Sequence, residues 1–159
     1  MTEQQFDQRI RIQEEKLYRL ARSMLRSDFD CADAIQNAIF AAWRKRHHLK
    51  DEQKFDAWLS RILINECRNI QRGYLKRKQE LPLDQGMQIA ANRPSRDIDL
   101  AQALEKLPEK HRLPIMLHYV NGLTVPQIAP ILRLPPATIK GRIREGMKKL
   151  RHMLGEDEP

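Results

Sequence analysis

Cysteine is scarce in this sequence: Cys31 and Cys67 are the only two among 159 residues. Neither belongs to a C-x-x-C pair, and the five histidines lack the spacing of metal ligands. Because a free cysteine packs as a small hydrophobic residue, we predict two buried thiols and no metal site. The chain also lacks a phosphate-binding glycine loop, a G-x-S-x-G elbow and an H-E-x-x-H helix, so nothing in it indicates an enzyme or a cofactor.

Long apolar runs are absent as well. No stretch approaches the roughly 20 apolar residues that a membrane-spanning helix needs. The first residues, MTEQQFDQRIRIQEEK, are too polar for a signal peptide. We therefore expect a cytoplasmic protein.

Basic residues are in excess: 29 Lys and Arg stand against 21 Asp and Glu, which gives a formal net charge of +8. A basic balance of this size favours an anionic partner, although nucleic acid and membrane surfaces would both satisfy it.

Apolar residues recur with the period of a helix along nearly the whole chain, and no strand-like alternation is visible. We predict an all-α fold of two small helical domains joined by a flexible linker. The first is a helical bundle over residues 1–78, and the second is a helix-turn-helix domain over 98–155. Residues 79–97 carry Pro, Gly, Asn and Ser without an apolar stripe, which is typical of a linker. The three stripes of the bundle contain Leu17, Leu20, Ala21, Met24 and Leu25; Ile35, Ile39, Ala42 and Trp43; and Phe55, Trp58, Leu59 and Ile62.

The second domain contains the signals of a helix-turn-helix. Gly122 is expected to end one helix at positive φ, and Thr124 with Gln127 has the spacing of a capping box that begins the next. In the stretch LPPATIKGRIREGMKKLR, an apolar stripe that begins at Ile139 lies beside a basic stripe. This layout is typical of a recognition helix, and a solvated basic surface is the alternative. The basic stripe contains Lys140, Arg144, Lys148 and Arg151.

Four small or rigid residues predict local details of this domain. Pro108 has the position of a proline at the first helical residue. Pro114 and Pro130 fall inside predicted helices, where each removes a backbone donor, so we expect local distortion. Gly146 falls in the apolar sector of the last helix, where it would allow close packing.

The first domain has a different chemistry, since it holds eight of the nine aromatic residues. Core packing is the main expectation for Trp43, Phe55 and Trp58, which lie on apolar stripes. The segment RNIQRGYLKRK contains five basic residues and no acid. Basic side chains near aromatic ones suit single-stranded nucleic acid, which offers phosphates and unstacked bases. The five are Arg68, Arg72, Lys76, Arg77 and Lys78.

These segments together resemble a bacterial RNA polymerase sigma factor of the extracytoplasmic function (ECF) group. The segments LYRLARSML and ADAIQNAIFAAW are similar to the first helix and the polymerase-binding helix of the family's second region. FDAWLSRILINECRNIQR resembles the segment that melts and reads the minus-ten promoter element. LEKLPEKHRLPIMLHYVNGLTVPQIAPIL, followed by PPATIKGRIREGMKKLR, is similar to the fourth region, which reads the minus-thirty-five element. The likeness covers nearly the whole chain.

The resemblance implies three sets of site residues. One set would contact the clamp region of the polymerase β′ subunit, the second would contact minus-ten DNA, and the third would contact the minus-thirty-five major groove. The polymerase set is Asp33, Gln36, Asn37 and Phe40. The minus-ten set is His47, His48, Leu49, Lys50, Asn65, Arg68, Asn69, Arg72 and Lys76. The minus-thirty-five set is Thr138, Lys140, Arg142, Arg144 and Lys148.

The resemblance implies a non-enzymatic factor that binds core polymerase and directs promoter-specific transcription initiation, in a stress or envelope response. Its partners would be core RNA polymerase and promoter DNA, both as duplex and as the non-template single strand. An anti-sigma factor that holds the protein at the membrane is a further expected partner. The alternative is a stand-alone helix-turn-helix regulator that binds duplex DNA without polymerase. We also expect the free protein to bind isolated duplex weakly, because its basic surfaces would be masked or misaligned without polymerase.

Overall fold

The computed structural model describes residues 1–80 and 99–156, and all regular structure within these ranges is helical. This confirms the all-α prediction. The predicted linker lies outside the described residues from position 81 onward, whereas residues 79 and 80 belong to a helix. The helices are α1 (Glu3–Met24), α2 (Asp28–Arg44), α3 (Phe55–Glu80), α4 (Leu100–Lys106), α5 (Glu109–Ile115), α6 (Val125–Leu132) and α7 (Pro136–Met153).

Side-chain caps define where the first two helices begin. Thr2 and Gln5 form a reciprocal capping box at the start of α1, with the Gln5 side chain accepting from the Thr2 amide at 2.9 Å. The Ser27 hydroxyl accepts from the Asp30 amide at 3.0 Å and starts α2. Each such cap is worth about 1 kcal/mol, because it satisfies an amide that has no partner within the helix.

The first three helices pack around the predicted apolar stripes. Leu20, Leu59 and Leu63 are among the fully buried side chains, and both cysteines are also buried. Burial raises the pKa of the Cys67 thiol to about 12 and also raises the pKa of Cys31, so neither thiol ionises at neutral pH. The prediction of two buried thiols is therefore confirmed.

Aromatic rings close one end of this bundle. The ring of Phe6 lies edge-on to Trp43, with centroids 5.2 Å apart, and edge-on to Phe55 at 6.1 Å. Phe55 is buried, and Trp43 and Trp58 pack against the core while keeping part of their surface exposed. The prediction that these three rings belong to the core is confirmed.

Helices α4 to α7 form the second domain, and its local signals match the structure. Thr124 and Gln127 form the predicted capping box at the start of α6, and Gly122 has a φ of 70°. The helix ends at Arg133, a non-glycine residue in the left-handed region at φ 58°. Arg133 stands at the turn of the helix-turn-helix, where the backbone reverses towards α7.

Three prolines differ in their effect. Pro108 precedes α5 as its N-cap instead of occupying the first helical position, so that prediction is off by one residue. Pro114 lies inside α5, and the helix widens into a π-helical segment, Met116–Val120, directly after it. The expected distortion is thus present after Pro114. It is absent at Pro130, where α6 stays a regular α-helix; Pro126 and Pro130 are both exposed, so water can reach the carbonyl that Pro130 leaves without a donor.

Gly146 lets α7 approach α5 closely. A Cβ at this position would lie 2.6 Å from Cδ1 of Ile115 and 3.1 Å from Cβ of His111. The predicted role in close packing is confirmed. Gly141, on the same helix, would meet nothing within 4 Å.

The two domains pack directly against each other. Helix α1 contacts α5, and α3 contacts α6, so the buried residues of both domains form one continuous apolar cluster. Within residues 1–80 and 99–156, no helix is long and apolar enough to cross a membrane.

Candidate polymerase and nucleic-acid surfaces

The outer face of α2 is a candidate protein-binding surface. Its inner face is built from alanines, including Ala34, Ala38 and Ala42, which let the helix pack closely on the bundle. The opposite face carries the four predicted polymerase-contact residues, all of them exposed. These are Asp33, Gln36, Asn37 and Phe40.

Phe29 extends this face, although it was not among the predicted residues. It is 80% exposed, and Phe40 is 54% exposed. Phe29, Asp33, Gln36 and Phe40 are spaced by four, three and four residues, which places them on one side of the helix. That spacing is a signal which would have identified Phe29. An exposed phenylalanine at each end of a polar stripe is typical of a protein contact surface.

The connection from α2 to α3 presents the first minus-ten candidates. It contains two single 3-10 turns, Arg46–His48 and Glu52–Lys54. His47, His48 and Lys50 are exposed, whereas Leu49 packs against the core and anchors the loop. The guanidinium of Arg46 lies 3.7 Å from the Trp43 ring centroid and donates to the Trp43 carbonyl at 2.8 Å. These contacts fix the position of the loop relative to the bundle.

Helix α3 brings the remaining minus-ten candidates onto one face. Asn65, Arg68, Asn69, Arg72 and Lys76 fall within about 100° of the helix circumference at 100° per residue. The side chain of Arg72 donates to Asn69 Oδ1 at 2.6 Å. All five are exposed except Arg68, which is half-buried.

Arg61 continues the same face by one turn towards the start of α3, four residues before Asn65, and it is exposed. Arg61 was not among the predicted residues, although the same spacing would have identified it. Arg77, by contrast, points away from this face. Its guanidinium lies 4.9 Å from the Tyr74 ring, and the Tyr74 hydroxyl donates to Asp30 on α2 at 2.6 Å. The structure therefore does not bring Arg77 together with the other basic residues of α3.

The minus-thirty-five candidates separate into two groups on α7. Lys140, Arg144 and Lys148 are exposed and lie about 100° to 180° from Ile139, beside the apolar stripe. Thr138 and Arg142 are half-buried and lie on the other side of that stripe, at about 260° to 300°. The five predicted residues thus do not form a single surface.

Within the second of these groups, Arg142 turns towards the first domain. Arg142 and Arg68 line the same cavity of about 270 Å³, together with Glu109, Leu113 and Leu132. A larger cleft, of about 470 Å³, has His48, Lys50 and Trp58 on one wall and Pro126 and Pro130 of α6 on the other. Residues predicted to contact the two promoter elements therefore face one interdomain boundary.

Comparison with known proteins assigns each domain separately. The family model described as Sigma-70 region 2 matches residues 12–80, and the one described as Sigma-70, region 4 matches residues 97–150. They match in the order in which the two domains occur in the chain.

Two relatives match over most of their length. The ECF RNA polymerase sigma factor SigW of Bacillus subtilis is 30% identical over 162 residues, covering 90% of this chain and 85% of SigW. The ECF RNA polymerase sigma factor SigM of Mycobacterium tuberculosis is 28% identical over 152 residues, covering 94% of this chain and 77% of SigM.

Two solved structures share the fold. The sigma factor RpoE from Bartonella quintana, in complex with the anti-sigma factor NepR, has a TM-score of 0.77 at 23% identity, over 97% of this chain and 99% of RpoE. CnrH, in complex with the cytosolic domain of CnrY, has a TM-score of 0.69 at 26% identity, over 99% of this chain and 92% of CnrH.

Proposed function

The chain belongs to the ECF group of RNA polymerase sigma factors, and on that premise we propose that it binds core polymerase through the outer face of α2 and directs it to promoters. The observation that carries this function is the separate match of residues 12–80 and 97–150 to sigma regions 2 and 4. A stand-alone helix-turn-helix regulator is not favoured, since it would not account for the match to residues 12–80.

The polymerase contact rests on the chemistry of α2. Asp33 is exposed and free to pair with a basic residue, and Gln36 and Asn37 can donate and accept hydrogen bonds beside it. Phe40 supplies an apolar anchor in the same stripe, and Phe29 supplies a second. Large aromatic side chains surrounded by polar groups are the usual source of binding energy in protein interfaces.

The minus-ten contact rests on α3 and the loop before it. Arg68, Arg72 and Lys76 supply phosphate-binding charge along one face, with Asn65 and Asn69 between them as hydrogen-bonding groups. His48, Leu49 and Lys50 of the loop line a cleft together with Trp58, and His47 is exposed next to them in the chain. Extruding a base costs a few kcal/mol, and a pocket next to an aromatic ring can offset that cost by stacking.

The minus-thirty-five contact rests on α7. Lys140, Arg144 and Lys148 form a free basic edge on a helix that begins directly after the turn at Arg133. A helix of this kind fits the major groove of duplex DNA, where Arg and Lys bind guanine and phosphate. Thr138 lies on the other side of the apolar stripe of α7, and Arg142, which lines the cavity shared with Arg68, would join the contact only after the second domain has moved away from the first.

The remaining assignments follow from the same premise. Residues 1–78 form the domain for polymerase and minus-ten DNA, 79–97 the linker, and 98–155 the domain for minus-thirty-five DNA. The protein acts in the cytoplasm without catalytic activity of its own. An anti-sigma factor is a proposed partner, supported by the structural likeness to RpoE bound to NepR.

Two experiments test this function. The protein is mixed with purified core polymerase and separated by size exclusion, where co-elution is expected and separate elution would support a stand-alone regulator. The mixture is then used for in vitro transcription on a library of upstream regions. A distinct set of start sites that requires the protein is the expected result, and unchanged initiation would refute the proposal.

A further inference from the structure

Basic side chains from three helices converge on the cavity of about 270 Å³ that Arg68 and Arg142 share. Arg68 comes from α3, Lys110 from α5 and Arg142 from α7. The two arginines are half-buried, and Lys110 is exposed. Because the three residues are far apart in the chain, only the packing of these helices brings their charges together.

A single carboxylate stands against these three charges. Glu109 lines the same cavity, and its Oε1 accepts from Nε2 of Gln71 at 3.0 Å. Within residues 1–80 and 99–156, none of the three basic residues forms an ion pair with Glu109 or with any other carboxylate. The cavity therefore has an excess of positive charge that no described side chain neutralises by direct contact.

The neighbouring His111 responds to the same imbalance. Burial lowers the pKa of this imidazole, and the nearby charges of Lys149, Lys110 and Arg142 lower it further. Glu145 opposes them. Two of the three cations that act on His111 line the cavity, so the potential on this side of α5 is positive.

The remaining walls of the cavity are apolar. Leu113, Pro114 and Leu132 are buried, and Leu134 is half-buried. Apolar walls lower the local dielectric constant, which strengthens the attraction between a cation and an anion. They also make it costly to leave a charged group without a partner. An anion in the cavity would offset that cost.

The size and the cations of the cavity indicate the class of anion. Its volume lies just below the range of about 300–1,000 Å³ that holds drug-sized ligands, and such sites occur preferentially at domain interfaces. A guanidinium binds a phosphate group through two parallel hydrogen bonds, and two guanidinium groups are present. A duplex cannot enter a space of this volume between two domains, so the anion is a small molecule.

We propose that this cavity is a binding site for a small phosphate-bearing ligand, held by Arg68, Lys110 and Arg142. Gln71 donates to Glu109 and so partly offsets the repulsion between that carboxylate and the ligand. The site also gives Arg142 a role in the free chain, where it is half-buried and lies off the exposed basic flank of α7. It does not depend on the proposed polymerase contact.

Calorimetric titration of the full chain with inorganic pyrophosphate, at constant ionic strength, tests the site. We expect saturable binding at a single site in the wild type. Arg142→Gln should weaken it at least tenfold, which corresponds to about 1.4 kcal/mol. The matched control is Arg11→Gln, which removes the same charge from an exposed position of α1 and should keep the affinity of the wild type. No binding by the wild type, or equal losses in both variants, would overturn the proposal, since equal losses indicate only general attraction to a basic protein.

Two further titrations identify the source of the phosphate group. ADP should bind and adenosine should not, because the cations recognise phosphate. Tighter binding of ADP than of pyrophosphate would assign an organic phosphate whose remainder lies against the apolar walls, and equal affinities would assign the phosphate groups alone. Binding of adenosine without binding of pyrophosphate would refute phosphate recognition.

Thermal unfolding separates loss of the site from loss of the fold. Without ligand, Arg142→Gln should be at least as stable as Arg11→Gln, because it removes a half-buried cation that lacks an ion-pair partner. With pyrophosphate, the unfolding midpoint should rise for the wild type and for Arg11→Gln, and it should stay unchanged for Arg142→Gln. A marked loss of stability in ligand-free Arg142→Gln would show that the protein itself already compensates this charge, which would contradict the proposal.

Discussion

Helices α3 and α7 both carry basic surfaces, but they present their charges differently. On α3 the basic and amide side chains form one face that is separate from the apolar face of the bundle, and all of them except the half-buried Arg68 are exposed. On α7 the apolar stripe runs between two polar flanks, and one flank turns towards the other domain. The comparison teaches that the number of basic residues on a helix does not determine how many of them are available.

The environment of the two helices explains the difference. Helix α3 is 26 residues long, and the side chains of residues 74–79 near its end are all exposed. Helix α7 packs against α4, α5 and α6 within its own domain. Its close approach to α5 at Gly146 sets the rotation of the helix and therefore decides which flank is exposed.

The largest expected effect comes from preventing the close approach of α7 to α5. Gly146→Leu places a side chain where a Cβ already meets Ile115 and His111, so we expect the second domain to lose about 3 kcal/mol of stability by overpacking. Gly141→Leu, where no atom lies within 4 Å of the Cβ, should be nearly neutral. Chemical denaturation of both variants measures the difference, and equal stabilities would contradict the role assigned to Gly146.

The polymerase surface offers the next largest effect. Phe40→Ala should weaken binding to core polymerase about 30-fold, or about 2 kcal/mol, because an exposed aromatic anchor is lost. Ile12→Ala removes an exposed apolar side chain, 68% exposed, from a different helix, α1, and should leave affinity unchanged. Titration of labelled protein with core polymerase measures both, and a similar loss in both would show that the contact lies elsewhere.

One substitution on each flank of α7 should distinguish the exposed flank from the half-buried one, with a smaller expected effect. Arg144→Ala should weaken duplex binding by the free chain by about 1 kcal/mol, since Arg144 lies on the exposed flank. Arg142→Ala should have no effect on the free chain and a similar effect only in the polymerase complex. Equal losses for both variants in the free chain would mean that both flanks are available without domain separation.

The smallest expected effect is a pH dependence of stability in the second domain. Burial lowers the pKa of His111 from its usual value near 6.5, aided by Lys149, Lys110 and Arg142 and opposed by Glu145. The unfolded chain therefore binds more protons than the folded one in the window below about pH 6.5. The contribution of His111 to stability is present above that pH and is lost as the pH falls through the window. Unfolding curves of the wild type and His111→Gln across this range measure it, and parallel pH profiles would show that His111 does not contribute.

Local elements were predictable from sequence because short-range geometry determines them. The capping box of Thr124 and Gln127, the positive φ at Gly122 and the burial of both cysteines depend on neighbouring residues or on helical periodicity. The site residues on α2 and α3 share faces for the same reason. Two of the misses are also local: α5 begins one residue later than predicted, and α6 stays regular through Pro130.

The sequence by itself therefore determined the helices, their apolar faces, the division into an aromatic-rich domain and a helix-turn-helix domain, and the family resemblance. Only the tertiary structure decided that Arg68 and Arg142 line one cavity, that Ile131 is buried in the interdomain cleft, and that one flank of α7 is half-buried. The physical reason is the distance along the chain over which each kind of interaction acts. Helical periodicity and capping are fixed within a few residues, whereas domain packing depends on the complementarity of surfaces that are far apart in the chain.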